Sequence, residues 1–200
     1  MQVFKTLVRR YQSRVYSVAF RLLGNSEEAE EIVQDCFLKV HQNMDKYQRK
    51  STFSSWLFRI AHNLCMDSLR LKQRRKDMTV ISFDPQAAAA DEEIGEGAQR
   101  PLTQLPDLRP TPSQTMDNAE EMRVLEESLS RLPESQKSVL LLHDIQGFSY
   151  QEISEITGTS IGTVRSRLHY GRIKLKELLD PYFSSESLQN PDKTQPAKSR

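Results

Sequence analysis

Apolar residues recur every three or four positions along most of this 200-residue chain, and this spacing limits the fold more than any other feature. Such a period places apolar side chains on one face of an α-helix, whereas a half-buried β-strand needs alternation with a period of two. The helical pattern occupies residues 4–44 and 53–69, returns in shorter helices after residue 122, and no stretch sustains alternation. The sequence therefore predicts an all-α protein.

Local signals place the ends of several helices. Gly24 predicts the end of the first helix, and Asn25 followed by Glu28 has the spacing of a capping box at the start of the second. Farther along, Pro133 suits the first turn of a helix that runs to about Ile145. These signals predict three longer helices before residue 77 and a set of shorter ones after residue 122.

Charge and proline content divide the chain into modules. Residues 1–77 carry 15 Lys/Arg against 8 Asp/Glu, and residues 122–183 carry 8 of each. Between them, residues 78–121 hold five of the nine prolines and 9 acidic residues against 2 basic ones. Such a composition buries too little apolar surface to offset the entropy of ordering. We therefore expect two small helical domains, joined by a flexible acidic linker at 78–121 and followed by a disordered tail at 184–200.

Several classes of protein are excluded by the same sequence. No apolar run approaches the roughly 18–20 residues that a bilayer span needs, so we expect no membrane insertion. Two cysteines without a CxxC spacing cannot form a disulfide framework, and we expect a cytoplasmic protein. Four cations interrupt the apolar residues near the N-terminus, where a signal peptide would need an unbroken apolar stretch: Lys5, Arg9, Arg10 and Arg14.

The sequence contains no pattern that favours catalysis. We find no activated nucleophile, phosphate-cradling loop or paired carboxylates, and therefore expect neither enzymatic activity nor a cofactor. A metal site built from His62, Cys65 and Asp67 with His41 or His143 is one alternative. Structural zinc needs four ligands and catalytic zinc three, but Cys65 lies on an apolar stripe and no second ligand pair is near. We expect no metal.

The C-terminal stretch has the outline of a helix-turn-helix. Ser149 and Glu152 form a capping box, Gly158 centres a tight turn, and a longer helix runs from Ile161 to about Leu179. Simple αα-hairpins share this outline. However, five cations and no acid lie between residues 165 and 176, which favours DNA binding over a solvated basic face.

A second polar surface follows the third helix. His62, Asn63 and Asp67 lie opposite the apolar stripe, with Asn63 and Asp67 one turn apart, and the preceding loop mixes three cations with Tyr47. Cations beside an aromatic ring suit unstacked bases, because the nucleic-acid backbone is anionic and each base has a face that can stack. A polar outer face with a basic loop explains the same pattern without nucleic acid.

Three stretches together carry a family resemblance: AEEIVQDCFLKVHQNMDKY at 29–47, STFSSWLFRIAHNLCMDSLR at 51–70 and LPESQKSVLLLHDIQGFSYQEISEITGTSIGTVRSRLHYGRIKL at 132–175. They closely resemble bacterial RNA polymerase sigma factors of the extracytoplasmic-function type, which keep only the domains called regions 2 and 4. The resemblance covers about residues 4–77 and 118–182.

This resemblance implies a role for each surface. Region 2 of the family docks on the clamp helices of the largest polymerase subunit and captures the non-template strand of the −10 element. Region 4 reads the −35 element in the major groove. Matched position by position, polymerase binding falls on Gln34, Asp35 and Leu38; strand binding on Lys46, Tyr47, Gln48, Arg49, Lys50, Asn63 and Asp67; and duplex binding on Thr163, Arg165, Ser166, Arg167, His169, Tyr170 and Arg172.

Further expectations concern binding partners and the distance that the linker has to span. The resemblance implies contacts with the flap region of the second-largest polymerase subunit, with promoter DNA and with an anti-sigma factor. About 17 base pairs separate the promoter elements of this family, or roughly 60 Å. A flexible linker of 44 residues has an r.m.s. span of about 33–40 Å and an extended length of roughly 145–160 Å, so it reaches that far but does not fix the distance. Polymerase would have to hold the two domains in register.

One departure from the family concerns the recognition helix, and one alternative function remains open. Relatives often have a third basic residue after the histidine, where this chain has Tyr170 and then Gly171, a residue that costs roughly 1 kcal/mol of helix propensity relative to alanine. A stand-alone helix-turn-helix regulator that binds duplex operator DNA would also account for the C-terminal pattern. The second polar surface in residues 29–77 favours the sigma factor.

Overall fold

The computed structural model describes residues 2–47, 51–81 and 115–189, and it contains only helices and turns in these ranges. The all-α prediction is therefore confirmed for the described part of the chain. A short 3₁₀ turn covers Met44–Lys46 and a π-helical turn covers Leu141–Ile145. The α-helices are α1 (Gln2–Leu23), α2 (Ser26–Asn43), α3 (Phe53–Ile81), α4 (Thr115–Ser130), α5 (Glu134–Leu140), α6 (Tyr150–Thr157) and α7 (Ile161–Gln189).

Helices α1, α2 and α3 pack on one another and form the N-terminal domain. Gly24 ends α1 with a positive φ of 72°, and Asn25 caps α2 by accepting a hydrogen bond of 3.0 Å from the Glu28 backbone N–H. The reciprocal half of the predicted capping box is replaced, because the Glu28 carboxylate lies 2.8 Å from Lys72 Nζ on α3. This ion pair ties the start of α2 to the third helix.

Helices α4 to α7 form the C-terminal domain. Its predicted capping box is complete: Ser149 and Glu152 each accept a hydrogen bond from the other's backbone N–H at the start of α6. Gly158 ends α6 in the left-handed conformation with φ 66°, and Ser160 caps α7 through a 3.1 Å hydrogen bond from the Thr163 N–H. The helix-turn-helix outline is present as α6 and α7.

Three helices are longer than the sequence predicted. α3 continues to Ile81 beyond its apolar stripe, α4 starts at Thr115, and α7 passes through Pro181 to Gln189. Beyond its apolar stripe α3 is supported by polar pairs along the helix surface, such as Gln73 with Asp77 at 2.9 Å. The remainder of the predicted linker, residues 82–114, and the tail after 189 lie outside the described residues.

The two domains contact each other, which the sequence did not predict. The main contact joins α3 to α6, and α1 lies against α4 and α5. At its centre, the rings of Phe58 and Phe148 meet edge to face with centroids 5.0 Å apart. Arg14 donates from Nε to Gln146 Oε1 at 2.9 Å and from Nη2 to the Gln146 carbonyl at 3.1 Å. Apolar residues from both domains thus join in one core.

The two cysteines belong to the core of the N-terminal domain. Cys36 and Cys65 are completely buried and unpaired, as their places on the apolar stripes predicted. Burial raises the pKa of each thiol to about 12, so both remain protonated at neutral pH. They therefore pack as small apolar side chains.

Candidate polymerase and nucleic-acid interfaces

One exposed face of α2 carries the residues predicted to bind polymerase. Gln34, Asp35 and Leu38 lie within one turn of each other, on the side opposite buried Cys36 and Val40. The Leu38 side chain is 55% exposed, so much of it lies outside the core. An exposed leucine beside a carboxylate and an amide is a surface that an external partner can cover.

Asn63 and Asp67 occupy the exposed face of α3, one turn apart as predicted. Asp67 Oδ1 accepts a hydrogen bond of 2.9 Å from Arg70 Nη1, one turn farther along. Both of these side chains are largely exposed, so water screens the pair strongly. Polar donors and acceptors are therefore available along two turns of this helix.

An aromatic cluster lies where the predicted strand-binding loop meets α3. The Tyr47 ring is 5.1 Å from Trp56 and 6.0 Å from Phe53, and its hydroxyl donates to the Ser51 carbonyl at 2.7 Å. The Tyr47 hydroxyl thus joins the two ends of the loop, and its ring belongs to the aromatic cluster. Trp56 was missed, because its helical period assigned it only to the core. Of the other loop residues, Lys46 ends the 3₁₀ turn, and Gln48, Arg49 and Lys50 lie outside the described residues.

Helix α7 exposes most of the residues predicted to bind duplex DNA. Arg165, Ser166 and His169 share one exposed face, with buried Val164 and Leu168 behind them. Arg165 makes no hydrogen bond or ion pair with any residue that the structure describes, so its guanidinium is available to an external anion. Next to this face, Tyr170 is 61% exposed.

Two small polar residues of this set also serve the helix itself. The Thr163 backbone N–H donates to Ser160 Oγ, and the two hydroxyls are 2.9 Å apart. Ser166 Oγ donates to the Thr163 carbonyl at 3.0 Å. These hydrogen bonds orient the first turns of α7.

Arg172 has a different environment from Arg165. Its Nε donates to Asp144 Oδ2 at 3.1 Å and its Nη2 to Asp144 Oδ1, so the pair is bidentate and joins α7 to the π-helical turn. His143 Nδ1 also lies 2.7 Å from Asp144 Oδ1. Although burial opposes it, hydrogen bonding from Arg172 and His143 holds the pKa of Asp144 below its ordinary value. The structure therefore gives Arg172 a partner within its own domain.

His62 is not on the polar outer face of α3, where the sequence placed it. Its side chain is buried at 8% exposure, and Nδ1 has no hydrogen-bond partner. Burial, together with the charges of Arg167 on α7 and Arg70 on α3, lowers its pKa to about 4. The sequence prediction failed because it treated α3 as the surface of a separate domain.

The alternative metal site is not formed. Cys65 is buried in the core of its domain, whereas Asp67 is exposed and paired with Arg70. Within residues 2–47, 51–81 and 115–189, no three His, Cys, Asp or Glu side chains come close enough to hold a metal ion. In the same ranges, no helix is both long enough and apolar enough to cross a bilayer.

A cleft of about 430 Å³ lies between the domains. The N-terminal domain contributes Ser51, Ser55, Trp56 and Arg59 to its lining, and the C-terminal domain contributes Ser154, Glu155 and Gly158. Beside it, Ser55 Oγ donates to Glu152 Oε1 at 3.0 Å. The start of α3 and the start of α6 are thus joined directly.

Comparison with known proteins identifies the two domains. Residues 7–75 match the family model "Sigma-70 region 2", and residues 122–175 match "Sigma-70, region 4". The chain is 34% identical over 190 residues to the ECF RNA polymerase sigma factor SigE of Mycolicibacterium smegmatis, with 95% of this chain and 66% of that protein covered. It is 30% identical over 176 residues to the ECF RNA polymerase sigma factor SigW of Bacillus subtilis, with 88% of each covered.

Two solved structures share the fold. The sigma factor RpoE, in its complex with the anti-sigma factor NepR from Bartonella quintana, has a TM-score of 0.66 at 23% identity, over 90% of this chain and 98% of that one. CnrH, in complex with the cytosolic domain of CnrY, has a TM-score of 0.60 at 22% identity, over 90% of this chain and 89% of that one.

A helical region 2 and a helix-turn-helix region 4, in this order, define a sigma-70 type initiation factor. This chain belongs to the extracytoplasmic-function RNA polymerase sigma factors. It is therefore a factor for promoter-directed transcription initiation and not an enzyme, and the sequence prediction of this class is confirmed.

Proposed function

We propose that this sigma factor divides its work among three surfaces, one on each of α2, α3 and α7. The observation that carries this assignment is that each surface is exposed although the two domains pack together. Leu38, Asn63 and Arg165 mark the three surfaces, and each side chain is open to solvent. Polymerase performs the chemistry of RNA synthesis, and this chain supplies promoter specificity.

The N-terminal domain binds the clamp helices of the largest polymerase subunit through Gln34, Asp35 and Leu38. Exposed leucine with flanking polar groups supports this, since such a patch becomes favourable when a partner buries it. The −10 strand lies along Asn63 and Asp67 and reaches the aromatic cluster beside the loop. Trp56 adds a second ring to Tyr47 there, and stacked rings hold unpaired bases without reading their sequence.

The C-terminal domain places the start of α7 in the major groove of the −35 element and meets the flap region of the second-largest subunit. Support comes from Arg165, Ser166 and His169 on one exposed face, because a recognition helix contacts base edges with its N-terminal residues. Thr163, Arg167, Tyr170 and Arg172 flank this face. Arg172 must leave Asp144, or share it, to contact DNA.

An anti-sigma factor is the third proposed partner. RpoE and CnrH, which share this fold, were each solved with another protein bound, an anti-sigma factor in the first case and the CnrY cytosolic domain in the second. We propose that this chain acts in the cytoplasm, where its target polymerase transcribes. Its anti-sigma partner would compete with polymerase for the same chain.

Run-off transcription from a supercoiled promoter library tests the proposal. Core polymerase alone, this chain alone and the two together are compared, and only the mixture should yield transcripts, from templates that share −35 and −10 motifs. A stand-alone regulator would instead bind duplex DNA tightly by itself and never support initiation. That outcome would remove the assignments on α2 and α3.

A further inference from the structure

The cleft between the domains has one positive and one negative wall. Its volume of about 430 Å³ is within the range of small-molecule sites. Arg59 on α3 lines one side, and Glu155 on α6 lines the other. Both residues are exposed, and neither forms an ion pair or a hydrogen bond with any residue that the structure describes. Each charge is therefore available to a ligand without the loss of an existing contact.

Two of the hydroxyl groups that line the cleft already have partners. Ser55 Oγ donates to Glu152 Oε1 at 3.0 Å, and Ser154 Oγ donates to the Thr159 carbonyl. The Glu152 carboxylate is held further by the backbone N–H and the hydroxyl of Ser149. These hydrogen bonds fix the polar walls in place. The groups left to bind a ligand by charge are the guanidinium and the carboxylate on opposite sides.

Trp56 gives the cleft an aromatic surface. Its ring lies 5.1 Å from the ring of Tyr47 and 5.9 Å from that of Phe53, so two neighbours hold it in position. Trp56 is only partly buried, and it lines the cleft on the same side as Arg59. A ring held in this way can pack against the ring of a ligand, since aromatic pairs are favourable at such separations.

The side of the cleft formed by α6 attracts a cation for two reasons. Glu155 supplies a carboxylate, and Gly158, which lines the cleft beside it, caps the C-terminus of α6. The C-terminus of a helix carries partial negative charge. A cationic group of a ligand is therefore favoured on this side, and an anionic group is favoured next to Arg59.

We propose that the cleft is a binding site for a small aromatic zwitterion of the size of one amino acid. The carboxylate of this ligand pairs with Arg59, its ammonium group pairs with Glu155, and its ring packs on Trp56. A simple anion would be repelled by Glu155, and a simple cation by Arg59, so opposite walls select a molecule that carries both charges. An aromatic amino acid has all three groups.

Binding is tested on the full chain with L-phenylalanine and two analogues that each lack one charge. 2-Phenylethylamine has no carboxylate, and 3-phenylpropionate has no ammonium group. Trp56 is the only tryptophan of the chain, so its fluorescence, excited where these probes do not absorb, reports on the cleft itself. We expect saturable binding of phenylalanine with a Kd of about 0.1–1 mM, and binding of each analogue about tenfold weaker.

Two variants assign the charges, and a third is the control. Arg59→Gln should lower the affinity for phenylalanine to that for phenylethylamine, because the ligand carboxylate then has no cationic partner. Glu155→Gln should lower it to that for phenylpropionate. Arg9→Gln, which removes an exposed arginine of α1 outside the cleft, should change nothing.

Three results would overturn the site. The first is the absence of saturation up to about 10 mM phenylalanine, which would leave the affinity too low for a specific ligand. The second is equal binding of phenylalanine and its two analogues, because the opposite charges would then select nothing. The third is an Arg9→Gln variant that binds as weakly as Arg59→Gln.

A ligand in the cleft would also cover Trp56, which we assign to the −10 strand. This consequence rests on the proposed function, whereas the binding site does not. Phenylalanine at about ten times its Kd should raise the concentration of chain needed for half-maximal run-off transcription about tenfold. The Glu155→Gln chain should be much less sensitive to phenylalanine.

The two parts of the proposal fail separately. An unchanged transcription curve in the presence of saturating phenylalanine would overturn the competition with the strand. If the chain binds phenylalanine but never supports transcription with core polymerase, the proposed function fails and the binding site stands.

Discussion

At the scale of single residues, Gly171 of α7 departs from the pattern of relatives, and no feature of the structure requires a glycine there. It is buried against α5, and a Cβ added there would lie 3.4 Å from Gln136 Cβ and 3.7 Å from Leu140 Cδ1. Both distances are ordinary van der Waals contacts, and the backbone is helical. Gly171 therefore costs helix propensity without providing space that the fold needs.

We accordingly expect Gly171→Ala to raise the free energy of unfolding by about 0.5–1 kcal/mol, because alanine loses less backbone entropy on folding. Urea denaturation monitored by circular dichroism measures the change. A loss of stability would mean that α7 cannot accept even one methyl group against Gln136, and that the glycine is required for close packing.

Arg165 is the residue on which duplex recognition depends most in our proposal. Arg165→Ala should lower promoter-dependent transcription about 10- to 100-fold, since a guanidinium contact with a base contributes roughly 1–3 kcal/mol. Polymerase binding and folding stability should remain nearly unchanged, because the side chain is exposed. Lys176→Ala, an exposed cation three turns farther along α7, is the control. Equal effects of the two substitutions would show that α7 does not read DNA at its N-terminal end.

Substitution of Leu38 should have the opposite effect to Arg165→Ala, since it should act on polymerase binding. Leu38→Ala is expected to weaken polymerase binding about tenfold, as truncation of an anchoring apolar side chain does at protein interfaces. The change in unfolding free energy should stay within about 0.5 kcal/mol, because the side chain is 55% exposed. Fluorescence anisotropy with core polymerase measures the affinity. An unchanged affinity together with a destabilised chain would assign Leu38 to the core.

At the scale of elements, Arg172 and Asp144 join α7 to the π-helical turn that precedes α6. Asp144→Asn and Arg172→Gln should each lower the free energy of unfolding by about 1 kcal/mol, and the double variant should lose little more than either. A thermodynamic cycle from urea denaturation measures this coupling. Additive losses would show that the two side chains act independently.

The Arg172–Asp144 pair also bears on whether the Arg172 guanidinium contacts promoter DNA. If the guanidinium stays with Asp144, both substitutions should weaken promoter binding equally, since each merely loosens α7. If it turns to the promoter, Arg172→Gln should be several-fold worse than Asp144→Asn. Filter binding with holoenzyme separates the two outcomes.

The local elements could be predicted from the sequence, and their assembly could not. Capping by Asn25 and Ser149 and the stop at Gly158 depend on neighbouring residues, so spacing alone reveals them. The contact between Ser55 and Glu152 joins residues 97 positions apart and consists of common polar side chains. Local spacing likewise does not reveal that Arg167 of α7 comes near His62.

At the scale of the whole molecule, His62 makes stability depend on pH. Its pKa in the folded chain is about 4, below the ordinary value of 6.5, because burial disfavours the charged form and Arg167 and Arg70 repel it. As the pH falls below 6.5, His62 of the unfolded chain takes up a proton, whereas His62 of the folded chain does so only near pH 4. Stability is therefore lost on acidification over this interval.

We expect this histidine to contribute a loss of about 2 kcal/mol between pH 7 and pH 5. His62→Gln should remove that part of the pH dependence, while titration of the carboxylates remains in both proteins. Guanidinium denaturation of the two chains at each pH gives the difference. Identical pH profiles would show that His62 is protonated or solvated in the folded chain.

The packed domains also bear on promoter spacing. A domain of roughly 60 residues is about 25–30 Å across. The centres of the two packed domains therefore lie about that distance apart. The elements that this family reads are roughly 60 Å apart. We therefore expect the domains to separate, and the hydrogen bond between Ser55 and Glu152 to break, when both elements are bound.

The Arg14–Gln146 and Phe58–Phe148 contacts have a consequence for how mutational surveys of this protein should be interpreted. When only a fraction of molecules is competent to bind, the apparent affinity is the intrinsic affinity reduced by that fraction. If the packed arrangement of the domains does not bind promoter DNA, alanine at Gln146 should raise the competent fraction without touching DNA or polymerase. Gain-of-function substitutions would then cluster far from every ligand, on the surfaces that the two domains hide from each other.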